Sequence, residues 1–190
     1  IEDYEIIYDV PLVVRNHPDF LQTSERWMRD TPTYVRDMIG EEKHRVDFST
    51  NNHIPFGKTP HHPARGGPKG QDLTKEKVYM SFDEWHEKAT AFDQALASGQ
   101  DQTTLDHFYF RLNAGSDHNK FLYDEFPVFD PQDTEPGENI FLLEPSQTSG
   151  INCRFAMPGS IAALHSDAPR NWLVVLGGSR RYILAHSQEC

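Results

Sequence analysis

The stretch Ile161-Ala-Ala-Leu-His-Ser-Asp-Ala-Pro-Arg-Asn-Trp-Leu-Val-Val-Leu-Gly-Gly-Ser-Arg-Arg-Tyr-Ile-Leu184 decides how this chain is read. Two apolar runs, Ile161 to Leu164 and Trp172 to Leu176, flank His165-Ser166-Asp167, and a Gly177-Gly178 turn leads to a third, Tyr182 to Leu184. Side chains alternate faces along a strand, so His165 and Asp167 at a strand end would point the same way. An imidazole and a carboxylate converging on one side of a sheet are two members of a 2-His-1-carboxylate facial triad, which holds Fe(II) and leaves positions open for an oxo acid and oxygen. Taken alone, the same spacing also describes a solvated turn after a strand.

The surrounding order of elements shifts the balance between those readings toward the iron site. From Arg154 to His186 the chain has a Gly159-Ser160 lead-in, an apolar strand ending in HxD, Asn171 four residues on, an apolar strand, a Gly turn and a basic strand of aromatic and aliphatic residues. This succession resembles the start of the double-stranded β-helix core in JmjC-type and cupin-like Fe(II)- and 2-oxoglutarate-dependent oxygenases. The resemblance covers residues 140–190 well and the first 140 residues loosely. It implies a mainly β fold with N-terminal α+β elements: residues 1–139 form a strand and helix support region, and 140–190 the first part of a jelly-roll, cupin-like core in the same domain.

Carried over by position, the resemblance implies that His165 and Asp167 are iron ligands and that Asn171 lies where the family often has a polar cosubstrate contact. Arg180 stands where many relatives have a lysine that pairs with the far carboxylate of 2-oxoglutarate. A guanidinium grips a carboxylate through two parallel hydrogen bonds, so charge pairing can survive the change, but its planar fork needs more room than an ammonium. Arg181 would replace it only if the register slipped, because alternation sends it to the opposite face. Tyr109, in Phe108-Tyr-Phe-Arg111, resembles a tyrosine that hydrogen-bonds the cosubstrate in some relatives; an aromatic core strand is the other reading of the same residues.

The family's second histidine comes from a later strand, tens of residues beyond HxD. His186 is the only histidine after His165, and it falls where relatives usually have a proline-containing turn, which makes it a poor ligand candidate. The apolar runs after Gly159 also ask for partner strands and a second sheet. The expectation is therefore that this stretch belongs to a longer chain or is completed by another polypeptide, as a partner subunit, an oligomer or a larger complex.

Bulk properties narrow the field. At 190 residues the chain is long enough for one domain, and a compact fold of that size buries roughly 70% of its unfolded surface. A formal net charge of -11 opposes general nucleic-acid binding, which needs a basic stripe to displace counterions. Two cysteines, Cys153 and Cys190, make no disulfide framework, which favours a reducing, intracellular setting. No apolar run approaches the roughly 20 residues that cross a bilayer, so a soluble protein is expected.

Outside the core, Glu5 to Val14 reads as strand material broken at Pro11. Thr31-Pro32 and Gly40 bracket a short helix over 32–39, followed by a strand at 44–48. Asn51 to Gln71 is a loop rich in Pro, Gly and His, with Lys58, His61, His62, Arg65 and Lys69; adjacent histidines in a loop are more often solvated than metal-bound, and the basic cluster suits a lid or partner contact. Val78 to Met80 is a strand that enters a helix at Ser81, whose Ser-x-x-Glu84 pattern is a capping box, with Ser98-Gly99 closing the helix after Ala97. Leu105 to Leu112 is a strand, Asp124 to Glu138 an acidic, proline-rich surface connection, and 151–157, 160–165, 171–177 and 180–185 are four strands.

The leading functional expectation is a 2-oxoglutarate-dependent hydroxylase acting on a protein side chain. Histone demethylation is the less favoured branch, because no reader-domain pattern and no lysine at position 180 are present. The alternative from a different class is a catalytically inactive cupin-like protein serving as a structural or interaction subunit. A metal-binding cupin without 2-oxoglutarate would need more histidines near HxD. The substrate itself is not legible in these residues.

Overall fold

The computed structural model describes residues 11–29, 31–54, 77–163, 165 and 171–184. Expectations that fall on Ile1 to Val10, on the loop with His61 and His62, on Asp167, and on His186 and Cys190 lie outside the described residues. In chain order the elements are α1 (Pro18–Arg29), α2 (Thr31–Ile39), β1 (His44–Ser49), β2 (His53–Ile54), β3 (Lys77–Met80), α3 (Phe82–Ala97), β4 (His107–Asn113), α4 (Phe121–Glu125), β5 (Asn152–Phe155) and β6 (Ile161–Ala162). Strands β3, β1, β4 and β5, in that order, form an antiparallel sheet, while β2 and β6 make a separate parallel pair.

Alternation along the strands gives this sheet two unlike faces. Val46 lies opposite Phe110, and Phe110 opposite Phe155, so these side chains share one face with Met80 and Leu112. That face packs on the helices. Trp27 of α1 stacks on Phe155 with centroids 6.0 Å apart, Phe82 of α3 meets Phe110 edge-on at 5.7 Å, and the indole of Trp85 donates to the Phe108 carbonyl at 3.0 Å. Val35, Val46, Phe110, Leu112 and Leu122 are fully buried, each such apolar side chain contributing about 1.5–3 kcal/mol relative to exposure. The opposite face carries Arg45, Asp47, Tyr109, Arg111 and Arg154.

Local signals set several boundaries as expected. Ser81 Oγ accepts from the Glu84 amide at 3.2 Å while Glu84 accepts from the Ser81 amide at 2.7 Å, which starts α3, and Gly99 ends it with φ +88°. Gly40, with φ +70°, closes α2. Such positive φ is a left-handed conformation in which glycine carries no Cβ penalty.

Other expectations need correction. Helix makes up 37% and strand 17% of the described residues, so the architecture there is mixed helix and antiparallel sheet rather than mainly β. Helix α1 was not anticipated. Residues 11–14 form no strand, and Val13 is exposed. The strand expected over 160–165 shortens to β6. The expected strands at 171–177 and 180–185 join no ladder among the described residues. Their strand pattern persists in burial: Trp172, Val174 and Leu176 are half-buried, while Leu173 and Val175 are exposed. The supposed surface connection at Asp124 begins instead inside the core, where Glu125 and Phe126 are buried. Among the described residues no helix is long and apolar enough to cross a membrane.

Candidate functional site

The site is built on the polar face of the sheet. Tyr109 of β4 faces Asp47 of β1 across the ladder, and Arg111, two residues further along β4, faces Arg154 of β5. Continuing the β1 to β4 register places Arg45 opposite Arg111 on the other side, so three arginines form a row across three neighbouring strands. Like charges directly opposite one another oppose sheet formation. Asp47 offsets part of that cost. It is 1% exposed, and its two carboxylate oxygens accept from Arg45 Nη2 and Arg111 Nη1, each at 3.0 Å.

Arg154 is held differently. Its Nη1 donates to the Cys153 carbonyl at 2.9 Å and the Leu112 carbonyl at 3.3 Å, both neutral acceptors. Burial first, and then the neighbouring charge of Arg111, push its guanidinium down to about 10. Beneath the row, burial pushes the Cys153 thiol up to about 12, which leaves it protonated and unreactive at neutral pH.

Arg180 reaches this face from the chain after the Gly177-Gly178 bend. Its Nη2 donates to the Tyr109 hydroxyl at 3.0 Å, across 71 residues of sequence, and its guanidinium carbon lies 5.4 Å from the Tyr109 ring centroid. Burial works against the charge of Arg180, but the Tyr182 and Tyr109 hydroxyls more than offset it and hold the guanidinium above its usual range. Gly178 has φ +72°, and Leu176 is fastened to α1 by a 2.6 Å hydrogen bond from Ser24 Oγ to its carbonyl. Trp172 packs edge-on against Phe141 at 4.9 Å. Together these contacts fix the approach of Arg180.

The histidine arm is positioned by a second set of bonds. Ile161 and Ala163 donate to the carbonyls of Asn52 and Ile54 at 2.7 and 3.0 Å, which align β6 beside β2. Asn52 Nδ2 donates to the Gly159 carbonyl at 3.2 Å, and the buried ring of His107 contacts the Leu105 and Pro158 carbonyls, pinning the lead-in. His165 follows, exposed, with Nδ1 2.6 Å from the Ala163 carbonyl. A carbonyl at that distance accepts from Nδ1–H, which orients the ring.

Of the residues singled out from sequence, the structure thus joins Tyr109 and Arg180. It places His165 three residues beyond β6 and Asn171 at the exposed start of the alternating run, whereas Asp167 lies outside the described residues. Arg181 is exposed. Tyr109 is both a buried strand residue and a contact of Arg180, so its two readings are compatible. No grouping of three or more His, Cys, Asp or Glu side chains fit for a metal ion occurs among the described residues. The arginine row and Asp47 were missed from sequence. Their signal is the alternation in Arg45-Val-Asp47, Tyr109-Phe-Arg111 and Cys153-Arg154-Phe155, where polar residues recur at every second strand position. Comparison with family models, curated proteins and solved structures gives no significant match to this chain.

Proposed function

We propose that this chain is part of an Fe(II)- and 2-oxoglutarate-dependent oxygenase that hydroxylates a protein side chain, and that its sheet and the β2–β6 ladder belong to a double-stranded β-helix. The observation that carries this reading is the contact between Arg180 and Tyr109. The resemblance assigns both, independently, to the cosubstrate, and they meet in space although they are far apart in sequence. In this role Arg180 grips the distal carboxylate of 2-oxoglutarate through its fork. The Tyr109 hydroxyl, while accepting from Arg180, donates its own proton to the same carboxylate. Asn171 is the further polar contact.

His165 supplies Nε2 to iron, with its ring set by the Ala163 carbonyl, and Asp167 supplies the carboxylate. Iron, when bound, provides oxygen activation coupled to the oxidative decarboxylation of 2-oxoglutarate to succinate. The protein's part is to orient the cosubstrate and bring the substrate side chain within reach.

The test is anaerobic. With Fe(II) and 2-oxoglutarate the natively purified protein, with whatever completes this stretch, is expected to develop the visible charge-transfer absorption of the iron chelate of an oxo acid, and His165→Ala to lose it. Folded protein that shows no such absorption sinks the oxygenase reading. One observation favours the alternative of an inactive subunit with a cupin-like sheet: Leu173, Val175, Ile183 and Leu184 are 62%, 50%, 84% and 65% exposed, more apolar surface than an isolated soluble domain usually shows from one short segment.

A further inference from the structure

The chain carries a formal charge of -11, yet it gathers Arg45, Arg111, Arg154 and Arg180 on one face of its sheet, where among the described residues Asp47 is the carboxylate that they share a contact with through Arg45 and Arg111. Packing alone does not call for this. A hydrophobic or neutral polar residue at position 111 or 154 would satisfy the same strands without placing guanidinium groups side by side. The arginines are also not saturated with acceptors. Arg45 Nε is buried without a hydrogen-bond partner, and the described bonds of Arg154 go to backbone carbonyls rather than to an acid. Asp47, engaged by Arg45 and Arg111 together, restrains those two forks without neutralising the row. Charge of one sign concentrated on a partly desolvated surface raises the local concentration of the opposite sign and binds it with little reorganisation.

We infer that the row Arg45, Arg111 and Arg154, bordering Tyr109 and Arg180, receives a carboxylate of the substrate, so that the side chain to be oxidised lies in an acidic context. This deepens the oxygenase reading and rests on it: Arg180 and Tyr109 hold the cosubstrate, and the neighbouring row reads the substrate. Arg111 is the centre of the site, because it lies on the same strand and face as Tyr109, two residues further along, between Arg45 and Arg154. The shared chemistry is the carboxylate, whether from an acidic peptide or from a small acid.

The experiment follows the fluorescence anisotropy of a labelled, end-blocked hexaglutamate peptide, with hexaglutamine and hexalysine as controls, with and without excess 2-oxoglutarate. Only hexaglutamate is expected to bind, with affinity falling several-fold between about 0.05 and 0.2 M salt. Arg45→Gln and the paired change Asp47→Asn with Arg111→Gln are each expected to weaken it by roughly tenfold or more. The paired change removes Arg111 together with its acid but also takes the acid from Arg45, so thermal unfolding verifies that each variant is folded, and Arg45→Gln, which keeps the Asp47–Arg111 pair, stands as the independent probe. Arg180→Gln is expected to abolish the charge-transfer absorption with 2-oxoglutarate. Citrate that displaces the peptide at comparable concentration assigns the carboxylate to a small acid, and failure of citrate to do so assigns it to a peptide; both support the inference. Equal binding of hexaglutamine, or indifference to both the Arg45 and the paired variants, overturns it. So does displacement of the peptide by 2-oxoglutarate, which would give the row to the cosubstrate. Absence of the charge-transfer absorption from the unsubstituted protein, with peptide binding intact, would instead remove the oxygenase reading and leave an acidic-ligand site.

Discussion

Glu125→Gln is the substitution whose cost can be worked most directly. The carboxylate of Glu125 is buried where α1, α2 and α4 meet: Oε2 accepts from the Trp27 indole at 2.8 Å and Arg26 Nη2 at 3.0 Å, and Oε1 accepts from the Tyr34 hydroxyl at 2.8 Å. Hydrogen bonds to a charged acceptor contribute about 1.5–3 kcal/mol each. The Arg26 bond is discounted because that side chain is 40% exposed and screened by water. Trp27 and Tyr34 remain, and their shared acceptor makes the two less than additive. A glutamine keeps one carbonyl oxygen but turns an amide donor toward other donors, so the loss should be about 2–3 kcal/mol at neutral pH. The pH dependence has a definite sign. Burial raises the carboxyl, but the bonds from Trp27, Tyr34 and Arg26 prevail and hold Glu125 below its ordinary 4.5 in the folded state. A depressed folded value means that the stabilisation is complete above the unfolded value and disappears as pH falls through the folded one. Urea unfolding of wild type and Glu125→Gln should therefore differ by about 2–3 kcal/mol at pH 7, and the difference should shrink as pH falls from the unfolded value through the depressed folded one. A difference under about 0.5 kcal/mol at pH 7, or one that does not shrink on acidification, would refute the claim that this carboxylate ties the three helices together.

Two further outcomes follow from single contacts. Ser81→Ala removes the capping box of α3 and should cost about 1 kcal/mol, read as a lower urea midpoint with unchanged slope. Arg180→Lys shortens the reach to Tyr109 and replaces a fork with a point charge; on the oxygenase reading, titration of the charge-transfer absorption should show 2-oxoglutarate binding weakened by roughly tenfold but not abolished, whereas Arg180→Gln abolishes it.

Which parts of the molecule could be read from sequence depends on how far apart the deciding contacts lie. The boundaries of α3 depend on Ser81, Glu84 and Gly99, all within or beside the helix, and they were legible. Helix α1 was not. Its core-facing positions are Phe20, Thr23 and Trp27, and the buried Thr23 owes its place to a hydrogen bond from its hydroxyl to the Glu125 carbonyl at 2.9 Å, a partner 102 residues away. A polar residue in a core-facing position dilutes the apolar period on which helix detection rests. The acidic segment at Asp124 misled for the same reason, since Glu125 looks like surface until Trp27 and Tyr34 are seen to surround it.

The candidate site divides along the same line. HxD is a local signal, and the geometry of His165 depends on Ala163, two residues away. The meeting of Tyr109 and Arg180 is non-local: it requires β4 at the centre of the sheet, the Ser24 bond that holds Leu176, and the bend at Gly178. The arginine row is more remote still, because each strand by itself shows only one or two charged residues in alternation, and no single segment contains the excess of positive charge. Register assembles it. The β1 to β4 pairing that brings Asp47 opposite Tyr109 also sets Arg45 beside Arg111, so a slip of one residue would send the arginines into the aromatic core and Phe110 into solvent. The apolar face therefore enforces the polar one: the packing of Phe110 against Phe82 and Phe155 specifies which charges converge beside Tyr109, against their mutual repulsion.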